Sequence, residues 1–168
     1  MTAIDTWQRI TAALDSAGAW IALLPIRLLL AYEFAKAGFG KLNGDNWFEN
    51  VQDKFLFPFN VVPVDISWFL ATWVEILGGL CLAVGLFTRF WAASLAILTV
   101  IAIFAVHWPE SWDSLGQLWQ GYAVTDKGFG NYRIPLLFLA MLVPLIFLGA
   151  GKLSMDCVLD RTIGPKST

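Results

Sequence analysis

The chain has 168 residues, enough for one domain, and 58% of them are hydrophobic while only 14% are charged. Soluble domains run at roughly 45–50% and about 25%, so a water-soluble core of this size is excluded and lipid must solvate much of the surface. The net charge of −2 gives no general attraction to nucleic acid.

The start, MTAIDTWQRITAALD, carries acids where a cleaved signal carries cations, so the N-terminus is expected to be kept. Residues 2–16 set Ile4, Trp7 and Leu14 near one helical face. That spacing predicts a short helix on the membrane surface, with a frayed tail as the other reading. Four apolar runs follow, at residues 18–41, 67–87, 90–107 and 134–151. Each is near the roughly 20 residues that a helix needs to cross the hydrocarbon. They predict an all-α integral membrane four-helix bundle, with residues 1–168 forming a single transmembrane domain. The runs are too long for strands and show no period of two. Pro135 belongs to the first turn of the fourth run, and Pro144 should kink its middle.

The connections are unequal. Thr88-Arg89 alone separates the second and third runs, which predicts a tight antiparallel hairpin. Residues 43–66 and 108–133 are long links on the opposite side. The terminal side holds Arg9, Arg89, Lys152, Arg161 and Lys166. The long-link side holds Lys54, Lys127 and Arg133 among many acids, Asp126 included. The excess of cations predicts cytoplasmic termini. Both links are aromatic, and Trp112, Leu115 and Trp119 fall on one helical face, as an interfacial helix requires. They read either as an aromatic belt or as a lid over the bundle.

Ionisable groups inside the runs carry the functional signal. One charge at mid-bilayer costs roughly 2.5–3.5 kcal/mol or more, so such groups need protein partners. Counting about 1.5 Å per residue from the long-link side, Lys36 lies roughly 8 Å deep, and Glu33 and Glu75 roughly 12 Å. Lys41 and His107 close their runs on that side and Arg133 opens the fourth. Glu33, Lys36, Lys41, Glu75, His107 and Arg133 are therefore the residues of an outward-facing polar pocket. Lys36 can pair with Glu33 or reach Glu75. Arg27 lies deeper, near the bilayer centre, where it snorkels, pairs with Glu33 or binds an anion. Gly78 and Gly79, beside Glu75, allow close helix approach, and Arg89 anchors the hairpin. An ion-pair network that locks the helices, a binding or redox pocket, and a proton path all remain open.

No metal site is assigned. The one histidine makes none alone, and Cys81 and Cys157 form no CxxC pair and no expected bridge.

The runs RLLLAYEFAKAGFGKL and EILGGLCLAVGLFTRFWAASLAILTVIAIFAVH resemble the DoxX family of small four-span bacterial membrane proteins. The resemblance covers nearly all of residues 20–156. NWFENVQDKFLFPFNVVPVDISW and GAGKLSMD are similar to its HvfX-like branch, found beside machinery for copper-binding modified peptides. The resemblance implies quinone-linked or metal-linked redox chemistry. It maps recurring polar positions onto Arg27, Lys41, Glu75, Gly79, Gly85, Arg89 and His107. Met1, Met141 and Met155 are scattered, which argues against direct copper storage.

The resulting expectation is a multi-pass accessory subunit of the bacterial inner membrane, working in a redox or metal-stress pathway. It is associated with an oxidoreductase but has no complete catalytic site of its own. Its ligand is a quinone or a peptide, and its partners are the lipid bilayer and either another protein or a second copy. A proton-coupled exporter and a purely structural membrane partner are the alternatives.

Overall fold

The computed structural model describes residues 2–123 and 130–163, and among these every regular element is helical. Asp126, Lys127 and Lys166, counted above in the charge asymmetry, lie outside them. Helix α1 spans Ala3–Ile21 and α2 spans Leu24–Leu42. Helix α3 is Val64–Val84, and α4 is Thr88–Ala102 continued by a π turn, Ile103–His107. The short α5 is Leu115–Gln120, α6 is Arg133–Leu148 and α7 is Met155–Ile163. By length and composition three stretches can cross a membrane: Ala3–Leu42, Val64–Val84 and Thr88–His107. Arg133–Leu148 is apolar but shorter, about 24 Å at 1.5 Å per residue.

These boundaries differ from the sequence reading in informative ways. The N-terminal helix does not stop near residue 16; a capping box on Thr2 starts it, and it runs to Ile21 before a brief break. Thr88 and Arg89 are not the hairpin turn but the first residues of α4, and Gly85–Phe87 make the turn. Gly85 ends α3 at φ +70°, and the Leu86 N–H donates back to the Cys81 carbonyl at 2.9 Å. That left-handed geometry favours glycine. A Cβ at Gly85 would also lie 2.6 Å from Arg27 Nη1.

Small residues decide how the helices pair. A Cβ at Gly79 would stand 2.8 Å from the Ala35 nitrogen and 2.9 Å from the Ala31 carbonyl, and one at Gly38 would strike Ile76. Helices α2 and α3 therefore touch backbone to backbone, the close approach that small residues permit in lipid. Gly78 faces the other way, against Leu95 of α4. Helix α4 packs along α6, whereas α2 meets α6 only briefly. The molecule is thus two tight pairs, α2/α3 and α4/α6, joined through the α3–α4 hairpin.

Two apolar clusters hold the pairs together. Leu30, Phe34, Leu82, Leu95, Leu142 and Leu145 fill the half nearer the chain termini. Phe48, Phe55, Ala71 and Ala105 form the other, at the end where both long connections emerge. Phe48 sits edge-on to Phe55 and to Trp68, at 5.0 Å each, which turns the first long connection into a packed aromatic cap. Outward faces remain apolar, with Leu29, Phe69, Leu80, Ile97 and Phe147 exposed, as lipid-facing helices require.

Candidate functional site: a cavity with an ion pair

Phe34 of the first cluster and the four residues of the second face a cavity of about 610 Å³. Helices α2, α3 and α4, the π turn, α6 and the aromatic cap all contribute to its wall. Most of that wall is apolar, from Phe34, Val74, Leu98 and Phe138 among others. The π turn closes with the Trp108 N–H donating to the Ile103 carbonyl at 2.7 Å, and it presents Ala105, Val106 and His107 to the cavity. Such insertions in α-helices recur at functional sites.

The polar spot is the pair between Lys41 and Glu75. Lys41 Nζ donates to Oε1 at 2.8 Å and to Oε2 at 2.7 Å. The two side chains are only 16% and 7% exposed. Lys41 lies in the last turn of α2 and turns its long side chain inward to the carboxylate rather than outward to the headgroups. Its ammonium has three N–H donors, and two are engaged, so one is left for a ligand. Glu33 is two turns below Lys41 on the same stripe of α2, with Ala37 between, and it also lines the cavity. Glu33 forms no ion pair among the described residues.

His107 lines the far side. Its Nδ1 lies 2.6 Å from Asn131 Oδ1. With that oxygen accepting, Nδ1 carries the proton and Nε2 is left as an acceptor. Ser67, at the start of α3, is 5% exposed; its Oγ has no hydrogen-bond partner, and the residue lines the cavity. Ser67 carries no signal in the sequence, because an orphaned hydroxyl is a property of packing and leaves no trace in composition or spacing.

Lys36 and Arg133, grouped with this pocket from sequence, do not line it, and neither does the deeper-set Arg27. Lys36 is exposed and stacks its ammonium over the Tyr32 ring at 5.7 Å, one turn back on the outer face of α2. It pairs with neither Glu33 nor Glu75. Arg133 is exposed and lies over the Tyr122 ring at 5.4 Å. Arg27 is not at mid-depth but in the first turn of α2, at the terminal end of the bundle. It is 2% exposed and donates to the carbonyls of Ala150 at 2.7 Å and Leu153 at 2.9 Å. Arg27 therefore ties the segment after α6 to the base of α2 and α3, and it leaves no charge for the cavity. Arg89 is also at this terminal end, beside Gly149. No group of three or more His, Cys, Asp or Glu that could hold a metal occurs among the described residues.

A family model described as DoxX matches residues 22–108. The chain belongs to the DoxX family. A Haemophilus influenzae protein carrying the description "Uncharacterized protein" is 40% identical to it over 150 residues, 89% of this chain and 91% of that one. No solved structure matches. The DoxX match takes in α2, α3 and α4 and therefore Glu33, Lys41, Ser67, Glu75 and His107 together. The α6 wall of the cavity lies beyond it.

Proposed function

We propose that this DoxX-family membrane protein is an accessory subunit that holds a quinone, head first, in the cavity above the Lys41–Glu75 pair. The observation that carries the reading is a mostly apolar cavity of about 610 Å³ that contains the buried Lys41–Glu75 pair and few other polar groups. Small-molecule sites typically measure about 300–1,000 Å³ and have this character. The remaining Lys41 N–H and the Ser67 hydroxyl can donate to ring carbonyls, while the apolar wall takes the ring and the start of its tail. Lys41 would stabilise charge on a reduced oxygen, and Glu33 or His107 would exchange its proton.

In this reading α2, α3, α4 and α6 all cross the inner membrane of a bacterium, with the termini cytoplasmic and the cavity toward the outside. Helix α1 and α5 lie at the interfaces, where Ile4, Trp7, Leu115 and Trp119 are exposed. The excess of Lys and Arg at the terminal end supports the orientation. The work is redox or metal-stress chemistry, and the likeness of the first long connection to the HvfX-like branch supports a pathway that handles copper-binding peptides. A protein partner then supplies the electron-transfer centre.

The test is saturable binding of a short-tailed quinone analogue to the purified protein. Ala102 lines the cavity, and Ala102→Phe should abolish binding without unfolding the helices. Absence of binding to the wild-type protein at every pH would overturn the proposal. A second reading, helix locking, is favoured by the engagement of both Glu75 oxygens. It predicts that Lys41 and Glu75 variants lose stability alone, with quinone binding unaltered in whatever folds.

A further inference from the structure

The terminal end of the molecule holds a second recess, of about 550 Å³, between the start of α4, the end of α6 and α7. Phe87, Phe90 and Leu148 give it exposed apolar walls, and Arg89 and Lys152 bring two cations to it. Neither cation has an ion-pair partner among the described residues, where the pairs are Lys41–Glu75 and Lys54–Glu110. Thr88 lines the same recess and is 0% exposed, and its Oγ1 has no hydrogen-bond partner. A buried hydroxyl left unbonded is destabilising, and a turn of the Thr88 side chain would offer it to a ligand in the recess.

Asp156 and Asp160 also line the recess and balance its formal charge, but among the described residues neither forms an ion pair with Arg89 or Lys152. Asp156 uses both oxygens on the backbone at the start of α4, accepting from the Phe87 N–H at 2.6 Å and the Thr88 N–H at 2.9 Å. Asp160 is exposed on α7, at the margin of the recess. Lys152 also lies over the Trp20 ring at 5.7 Å, and tryptophans of membrane proteins gather at headgroup level.

We propose that this recess binds the phosphate of a membrane phospholipid headgroup. The Arg89 guanidinium and the Lys152 ammonium supply charge-assisted donors to the phosphate oxygens, and the Thr88 hydroxyl supplies a neutral one. The acyl chains descend along Phe90 and Leu148, apolar surface that a free phosphate ion would leave wet. Basic pockets at the ends of membrane helices bind lipid headgroups in this way. The site is independent of the quinone reading, being at the opposite end of the bundle.

The experiment uses full-length protein stripped of lipid in detergent. It is titrated with phosphatidylglycerol, phosphatidylethanolamine, diacylglycerol of the same chains, and inorganic phosphate, and bound species are counted by native mass spectrometry. Both phospholipids should bind saturably, and diacylglycerol should not. Arg89→Gln with Lys152→Gln should weaken binding about tenfold, and Thr88→Val should weaken it severalfold with helix content unchanged by circular dichroism. Ser67→Ala, in the other cavity, should leave it unaltered. Diacylglycerol bound as tightly as phospholipid, or equal affinity in the wild-type and Arg89→Gln/Lys152→Gln proteins, overturns the proposal. Inorganic phosphate bound as tightly as either lipid assigns the recess to a soluble phosphate ion instead and overturns the lipid source.

Discussion

Lys41 and Glu75 meet across the α2–α3 contact, the ammonium bonded to both carboxylate oxygens at 2.8 and 2.7 Å. The pair spans two helices whose backbones touch one turn deeper, at Gly79 and Ala35. Close packing and ion pairing therefore act on the same seam. The pairing also spares Glu75 the cost of an unpartnered buried charge.

Removing one member of this pair should be worse than removing both. Lys41→Met leaves an unpaired carboxylate in the interior, at an expected cost on the order of 3 kcal/mol. Lys41→Met with Glu75→Leu should recover most of that. Reversible unfolding in mixed micelles measures both, and a double variant as unstable as the single one contradicts the pairing.

The seam itself makes a prediction within one family of substitutions. Gly79→Ala forces a methyl group into the Ala35 backbone, and overpacking of this kind costs about 1–3 kcal/mol. Gly40→Ala, in a helical position with nothing within 4 Å, should be neutral or stabilising by up to about 1 kcal/mol. Thermal unfolding of the two variants in the same detergent checks the contrast.

Arg27 should control a segment far from it in sequence. Its hydrogen bonds to Ala150 and Leu153 hold residues 149–154 against α2. Arg27→Met should raise amide exchange across that segment by more than tenfold. Lys, a point donor without the guanidinium fork, should restore only part of the protection. Unchanged exchange in Arg27→Met would contradict the anchoring role.

The two long connections are tied by Lys54 and Glu110, Nζ to Oε1 at 2.7 Å on an exposed surface. Their mutual hydrogen bond and attraction lower the Glu110 pKa and raise that of Lys54. The Glu110 contribution is therefore present above its unfolded pKa and lost as pH falls through the lowered folded value. The Lys54 contribution is present below its unfolded pKa and lost as pH rises through the raised folded value. Between those limits the tie should persist, and because it is exposed, salt should weaken it. Amide exchange of residues 51–55 followed against pH and salt measures this, with Glu110→Gln as the reference. Exchange in the wild-type protein that matches Glu110→Gln at neutral pH and low salt contradicts it.

The helices were legible because bilayer thickness sets a length, and apolar runs of that length are plain in one dimension. Glu75, Gly79 and the α2–α3 seam were legible for a related reason: a carboxylate beside two glycines in lipid needs a nearby neighbour. The identity of that neighbour was not. Lys36 matched the depth of Glu75 better than Lys41 did, but depth ignores azimuth, and a lysine's four-carbon stem reaches about a turn along the helix. Arg27 was misplaced because the first run was taken as one helix from residue 18, whereas α2 begins at Leu24 after a break at residues 22–23, a fresh start that Pro25 in its first turn marks. The orphaned hydroxyls of Ser67 and Thr88 emerge only from packing. The π turn at Ile103–His107 has no sequence signature either, yet it brings His107 to the cavity.

Photo-crosslinking tests most directly whether the cavity beside the Lys41–Glu75 pair is a ligand site. A short-tailed azidoquinone, photolysed with the detergent-purified protein and mapped by mass spectrometry, should label the cavity wall around Leu98, Ala102 and Phe138. An excess of unlabelled quinone should suppress that labelling, and Ala102→Phe should remove it. Labelling confined to outward-facing residues such as Leu80, Ile97 and Phe147, and insensitive to competitor, would contradict the account.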